Sequence, residues 1–413
     1  MAVYTSEKMK NKNLYIQTFG CQMNVHDSEQ MEALLADSGY KLTENIMLAD
    51  LILLNTCAIR EKAAQKVYSE LGRISKLKEK NPDLIIGVGG CLAQHLGAKF
   101  HKKAVCLDFV FGTHNIHRLT HMVSAVKKKR ERLTEINFYK SINSIGVFAP
   151  PKNGAVSAFV TIMQGCNNYC AYCVVPYLRG PEMSRPSDDI IKEIKKLSDY
   201  GIREVTLLGQ NVNSYGKTIT DGLNFTGLIK RIAKISGIDR IRFTTSHPRD
   251  LSEELINCFA EEEKLCEHIH LPVQSGSNKV LSLMRRGYAV EDYIKKVDQL
   301  RTACPSISIT SDIIVGFPGE TQSDYQETID MMEKIRFDSV FSFKYSERKG
   351  TVAQKLDGKV EEAEKLKRLE HLQALQNQHT LEKNKGLENS RQKVLVEGKC
   401  KNSENDLMGR TGS

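Results

Sequence analysis

Two successive patterns of apolar and polar positions organise the chain. Between residues 13 and 130, short continuous apolar runs alternate with amphipathic stretches. The runs NLYIQTF (13–19), ADLILLN (49–55), DLIIGVG (83–89) and DFVFG (108–112) have strand length and predict four strands. Residues 28–38, 60–80 and 116–129 carry helical patterns between and after them. Strands without polar alternation, separated by amphipathic helices, imply a parallel sheet with helices on both faces.

The segment KKKRERLTEINFYKSINSIGVFAPPKNGA (127–155) is first basic, then polar, and ends with Pro150, Pro151 and Gly154. It reads as a connection between domains. From Val156 a second alternation begins, with strand candidates at 156–164, 204–209, 241–246, 268–273, 306–317 and 339–345. Helical patterns such as 188–201 and 225–236 lie between them. Six βα units in succession predict a barrel or part of one, with its chemistry at the C-terminal ends of the strands. A charged helical stretch follows to Lys385, and RQKVLVEGKCKNSENDLMGRTGS reads as the start of a small β domain. The expected boundaries are 1–135 for the first domain, 136–155 for the linker, 156–385 for the barrel and 386–413 for the last element.

Composition narrows the class. No stretch approaches the roughly 18 apolar residues needed to span a membrane, and the start MAVYTSEKMKNKNLYIQ lacks an apolar signal core. A cytoplasmic protein is expected, in which eleven cysteines argue for metal or redox chemistry before disulfides. Lys plus Arg number 59 against 50 for Asp plus Glu, a net charge of +9. That excess suits a polyanion such as RNA, and equally a merely basic soluble enzyme.

The cysteines carry the most information. QGCNNYCAYC (164–173) packs Cys166, Cys170 and Cys173 into a C-x3-C-x2-C spacing directly after the first barrel strand. Zinc sites and cube-shaped iron–sulfur clusters normally take four protein ligands, yet the next cysteine along the chain is Cys258. Three thiolates can ligate three irons of a [4Fe–4S] cube and leave the fourth iron open to a non-protein ligand. A zinc knuckle completed by a distant histidine, or three unrelated buried cysteines, are the other readings. In the first domain, Cys21, Cys57 and Cys91 each follow a predicted strand, at intervals of about one βα repeat. Parallel strands end on one edge, so these three should converge into a second incomplete ligand set, unless buried cysteines fall there by chance. Cys106, Cys258, Cys266, Cys304 and Cys400 lack partners at ligand spacing and read as ordinary thiols.

The C-x3-C-x2-C loop after the first strand of a predicted barrel resembles the radical S-adenosylmethionine superfamily. TFGCQMN, LNTCAIREKA, GVGGCLAQ, IMQGCNNYCAYCVVPYLRGPEMSRP, LLGQNVNSYG, TSHP, HLPVQSGSNKVLSLMRRGY and SDIIVGFPGET together resemble its methylthiotransferase family over nearly the whole chain. The resemblance implies a flavodoxin-like first domain, a partial (βα)6 barrel and the beginning of an RNA-binding TRAM domain at 386–413. It implies two [4Fe–4S] clusters, one on Cys166, Cys170 and Cys173, with S-adenosylmethionine on the open iron. The other, on Cys21, Cys57 and Cys91, would hold the sulfur to be inserted. VVPYLRGPEMSRP and LLGQNVNSYG are similar to the tRNA type, which implies methylthiolation at C2 of N6-isopentenyladenosine at position 37. Methylthiolation of threonylcarbamoyladenosine or of a ribosomal-protein aspartate is the alternative. The resemblance further implies the tRNA anticodon loop as partner and an electron donor such as flavodoxin or ferredoxin, with a monomer expected. Because only the start of a TRAM domain is matched, tRNA affinity is expected to differ from that of a chain carrying the whole domain.

Tyr172 matches the aromatic residue common before the last cluster cysteine. Gln210, Ser246, Gln274, Ser275 and Asp312 fall at predicted strand ends and are candidates to bond S-adenosylmethionine, although such residues also shape turns. No catalytic residue is assigned. Arg179 and Arg185, just beyond the cluster loop, are candidates for RNA phosphate contacts or for ion pairs.

Overall fold

The computed structural model describes residues 12–58, 61–139, 147–400, 403 and 405–413, without the side chains of 61–64. It divides into two units: Met1–Pro150 with Tyr177–Gly180, and Pro151–Pro176 with Pro181–Ser413.

The first unit is built on strands β1 (Lys12–Thr18), β2 (Tyr40–Leu42), β3 (Leu51–Thr56), β4 (Ile85–Gly90), β5 (Phe109–Phe111) and β6 (Leu133–Glu135). They form one parallel sheet in the order β2-β1-β3-β4-β5-β6. The first five follow the doubly wound, flavodoxin-like order, and β6 extends the edge. Every residue of β3 and β4 is buried, because both faces are covered. Ile52, Leu54, Ile86 and Val88 pack with Val67, Leu71 and Ile74 of α2 (Glu61–Lys80) on one side. Leu51, Leu53 and Ile85 pack with Met31 and Leu35 of α1 (Gln22–Ala36) and with the helix Leu119–Lys129 on the other. Each such side chain contributes about 1.5–3 kcal/mol on burial, which holds the sheet's register firmly. The edge strands β2 (YKL) and β6 (LTE) have one neighbour each and contain no apolar run, so the hydrophobic pattern did not announce them.

The second unit contains β7 (Ser157–Thr161), a short antiparallel pair β8 (Met163–Gln164) and β9 (Met183–Ser184), then β10 (Glu204–Leu208), β11 (Arg240–Phe243), β12 (His268–His270), β13 (Ser308–Val315) and β14 (Ser339–Lys344). Strands β7, β10 and β11 are parallel neighbours, as are β12, β13 and β14. A parallel bridge between Ile241 and Leu265 joins the two triplets, giving six strands paired in chain order. Among the described residues β14 does not pair back to β7, so the barrel is partial. The expected strand 268–273 stops at His270, where the chain approaches Pro272, which cannot donate to a ladder. The long charged helix spans Glu362–Gly386 and covers one face of β14: Gln373 donates to the Ser342 hydroxyl at 3.2 Å, and Lys344 pairs with Glu362 at 3.0 Å. No described helix is long and apolar enough to cross a membrane.

Beyond it, β15 (Leu395–Lys399) and β16 (Leu407–Arg410) form an antiparallel ribbon. A buried carboxylate ties this ribbon to the barrel. Glu204, at the start of β10 and 0% exposed, faces Arg242 at 3.2 Å and Arg410 at 3.0 Å. Arg240 donates to the carbonyls of Arg410 at 2.7 Å and Lys393 at 2.8 Å. Removing one member of such a buried network leaves uncompensated charge, costing roughly 3–5 kcal/mol. Glu204→Ala should therefore lower the thermal midpoint of the barrel by several degrees in calorimetry. An unchanged melt would show that this network does not hold the ribbon.

Candidate functional site: two sets of three cysteines

In the first unit, β1, β3 and β4 end beside one another, and each is followed by a cysteine of the first set. Cys21 precedes α1, Cys57 follows Thr56, and Cys91 opens α3 (Cys91–Leu96). The gap between β1 and β3 is where the strand order reverses, the place at which open α/β sheets bind ligands. Asn24, fully buried, clasps the turns: its amide donates to the carbonyl of Phe19 at 2.8 Å and to that of Thr56 at 3.2 Å. Asn55 donates to the Asn24 carbonyl at 2.8 Å, and the Thr56 hydroxyl donates to the Gly89 carbonyl at 2.6 Å. All three cysteine-bearing turns are thus bonded into one network.

Two glycines make that approach possible. Gly20 has φ +123, and a Cβ there would lie 2.7 Å from the Cys57 Cβ. Gly90 has φ +88, and a Cβ there would lie 2.4 Å from the Thr56 carbonyl oxygen. Burial pushes the Cys91 thiol up to about 11, Cys57 and Cys21 add to this, and the nearby Arg179 guanidinium opposes it.

Arg179 is buried, not a solvent-facing phosphate contact. It donates to Asp27 at 2.8 Å and to the Asn24 side-chain oxygen at 2.9 Å, while the Thr113 hydroxyl and the His114 ring bond the carbonyls of Leu178 and Arg179. Arg185 is likewise committed: it pairs with Glu193 at 2.7 Å and donates to the Thr161 carbonyl at 2.7 Å. Of the two readings for these arginines, RNA phosphate contacts or ion pairs, the second holds, with the pairs buried instead of on the surface.

In the second unit, Cys166, Cys170 and Cys173 lie on the loop after β8, at the C-terminal end of the barrel strands. The Cys173 sulfur accepts from the Val175 amide at 3.4 Å, and Cys170 accepts from Arg286 at 3.5 Å. Arg286 is 4% exposed and also donates to the Tyr288 hydroxyl at 3.1 Å, the Tyr172 hydroxyl at 3.4 Å and the Pro272 carbonyl. Among the described residues no carboxylate pairs with it. A buried cation without an anion is costly, so the surroundings of Cys170 suit a negatively charged group. Tyr172 itself packs edge-on against Phe317 at 6.5 Å.

Around this loop lie buried polar atoms that have no hydrogen-bond partner among the described residues: Asn211 Oδ1, Ser246 Oγ, His247 Nε2 and Gln274 Oε1. They stand at or just beyond the ends of β10, β11 and β12, and native proteins rarely leave such atoms bare. His247 Nδ1 accepts from the Arg249 amide at 3.2 Å, and burial pushes its pKa down to about 2. The ring is therefore neutral, with its proton on Nε2, an unused donor. Gln210 accepts from the Gly165 amide and so fastens the cysteine loop to the end of β10. Ser275 bonds Thr328 at 3.3 Å and accepts from the Ser277 amide at 3.2 Å, shaping its turn. Asp312 lies 3.6 Å from His270. Asn24, His247 and Arg286 carry contacts that sequence reasoning had not assigned. All three lie inside the quoted motifs, but only tertiary structure reveals which sulfur or carbonyl each meets.

Among the described residues no three of His, Cys, Asp and Glu form a site for a single metal ion. A cube of four irons and four sulfides takes its thiolates at separate corners, so it suits more widely spaced sulfurs than one ion does. The donor set, three cysteines in each place and nothing harder, fits iron–sulfur chemistry. Gly20→Ala should push Cys57 and Asn24 away from the turn at residue 20 and strain the backbone. Iron bound after anaerobic reconstitution should then fall while the far-ultraviolet circular dichroism stays native. Full iron binding by that variant would show that the close approach of the two turns is dispensable.

Relatives bear on both units. The description "Uncharacterized protein family UPF0004" matches residues 13–112, and the radical SAM superfamily matches residues 160–332. A tRNA-2-methylthio-N(6)-dimethylallyladenosine synthase of Syntrophus aciditrophicus is 60% identical over 406 residues, 98% of this chain and 88% of that one. The protein of the same name from Geobacter sulfurreducens is 51% identical over 97% of this chain and 90% of its own. Among solved structures, the radical S-adenosylmethionine methyltransferase TsrM from Kitasatospora setae, with cobalamin and a [4Fe–4S] cluster bound, shares the fold at a TM-score of 0.64. It is 13% identical and is matched over 84% of this chain and 74% of its own. With turns, donor sets and near-full-length identity in agreement, the chain belongs to the tRNA-2-methylthio-N(6)-dimethylallyladenosine synthase family of radical SAM enzymes.

Proposed function

We propose that this enzyme adds a methylthio group to C2 of N6-dimethylallyladenosine at position 37 of tRNA, using two [4Fe–4S] clusters and two molecules of S-adenosylmethionine. One S-adenosylmethionine would be the methyl donor and the other the radical source. The observation that carries the reading is the pair of three-cysteine sets at strand C-terminal ends, one of them beside a buried arginine with no carboxylate partner among the described residues. Cys166, Cys170 and Cys173 would hold one cluster, and Cys21, Cys57 and Cys91 the other. When bound, the first cluster with its S-adenosylmethionine supplies a carbon-centred radical able to break an unactivated C–H bond.

The chain's own residues bind and orient. Arg286 offers a fixed positive charge to Cys170 and whatever anion lies beside it. The bare Nε2–H of His247, with Ser246, Asn211 and Gln274, offers donors and acceptors to a polar ligand such as the amino, carboxylate or ribose groups of S-adenosylmethionine. Gln210 holds the loop that carries the cysteines, and Tyr172 on that loop packs edge-on against Phe317. Because His247 is neutral throughout the working range, it adds no charge that would repel the sulfonium. On this reading the functional modules are 1–135 for sulfur handling and 156–385 for radical generation, with 136–155 as linker and 386–413 as the start of an RNA-binding element. The excess of Lys and Arg supports a tRNA partner. A cytoplasmic monomer reduced by a flavodoxin or ferredoxin is the working arrangement.

Two experiments test this. Replacing Cys21, Cys57 and Cys91 together by Ala should halve the iron and sulfide bound after anaerobic reconstitution, and unchanged content would refute the second cluster. Mass spectrometry of tRNA nucleosides from a strain lacking the gene should show loss of the methylthio-dimethylallyl nucleoside. Loss of a threonylcarbamoyladenosine derivative instead would redirect the substrate.

A further inference from the structure

The inner wall of the partial barrel leaves an aromatic surface open. On β13 the residues alternate strictly: Ile309, Ser311, Ile313 and Val315 are buried, whereas Ser308, Thr310, Asp312 and Ile314 are not. On β14, Ser342 and Lys344 reach the covering helix Glu362–Gly386. Successive strand residues point to opposite faces, so Phe341 and Phe343 stand on the face which that helix does not cover. Register places Phe341 beside Asp312 and Phe343 beside Ile314. Phe341 is 57% exposed and Phe343 43%. Next to them His270 bonds Thr310 at 3.0 Å, lies 3.6 Å from Asp312 and meets the Phe341 ring edge-on at 6.2 Å. The wall thus carries Phe341, Phe343 and Ile314 on one side and His270, Thr310 and Asp312 on the other.

Two phenylalanines side by side on a concave wall bury little of their surface against the protein, which marks a ligand contact. The substrate named above has matching chemistry: a flat base with polar edges and a branched five-carbon apolar group on N6. We propose that Phe341, with Phe343 beside it, receives the dimethylallyl-adenine, the rings packing on the apolar group while His270, Thr310 and Asp312 face polar edges of the base. The assignment rests on the proposed tRNA substrate. It makes Phe341 a specificity-determining residue, because an unprenylated adenosine leaves the apolar part of the wall unfilled. The interaction is non-covalent and leaves the reaction's own chemistry unchanged.

The test uses the full chain, anaerobically reconstituted, and two anticodon stem-loop RNAs that differ only in carrying dimethylallyladenosine or adenosine. Fluorescence anisotropy gives both affinities. Wild type should prefer the prenylated loop, and Phe341→Ala should lower that preference by about tenfold, the scale on which apolar pockets discriminate. Phe341→Leu, which keeps an apolar side chain, should retain part of the preference, and equal iron content in all three proteins controls for folding. A variant that keeps the wild-type ratio overturns the assignment. So does one that loses S-adenosylmethionine affinity with the RNA ratio intact, since the wall would then belong to that cofactor. Wild type binding both loops alike would instead overturn the substrate reading itself.

Discussion

Parallel strand pairing in a fixed register is the constraint on which the first cysteine set and the surroundings of the second depend. Side-by-side parallel strands finish on the same edge, so residues just beyond them are neighbours in space although a whole helix separates them in sequence. In the first unit that edge gathers Cys21, Cys57 and Cys91. The fully buried β3 and β4 supply the stiffness, since a slip by one residue would turn Leu51, Leu53, Ile85 and their neighbours to the wrong face. In the second unit the same edge gathers the cysteine loop, Ser246, His247 and Gln274 from separate strand ends.

Charge is handled differently at the two places. Arg179, near Cys91 and Cys21, is already matched by Asp27, so it brings little net charge and acts mainly as a rivet between Asn24 and the first unit's core. Among the described residues Arg286 donates to neutral oxygens and one sulfur and to no carboxylate. A guanidinium does not shed its proton, so the balancing negative charge must come from the Cys170 sulfur as a thiolate or from a bound group. The second site therefore carries a demand for an anion in its structure, and the first does not.

Much of this was legible in the sequence because the informative signals are local. Apolar runs located β1, β3, β4 and β5 of the first unit and all six strands of the barrel, and the cysteines stand just beyond the ends of those runs. What stayed hidden depends on which distant atoms meet. The edge strands β2 and β6 have too little burial to leave a pattern. Arg179 and Arg185 looked like surface cations because charge alone says nothing of Asp27 or Glu193, which lie far off or on another element. Asn24 and His247 sat in plain view in FGCQMN and TSHP, but an amide that clasps two turns and a ring with one bare nitrogen are visible only once the turns are in place.

The two cysteine sets also differ in what they ask of folding. Cys166, Cys170 and Cys173 occupy one eight-residue loop, so a short ordered segment already presents all three sulfurs. Cys21, Cys57 and Cys91 are spread over seventy-one residues and three strands, and they are brought to one sheet edge only when β1, β3 and β4 are paired and Asn24 has closed on Phe19 and Thr56. Any ligand that binds those three at once binds the folded sheet and not the unfolded chain, and by mass action it stabilises the first unit as a whole. The same logic places the burden of failure: a core substitution far from the cysteines, by loosening the register of β3 on β4, weakens the first set, whereas the second set is sensitive chiefly to its own loop and to Arg286.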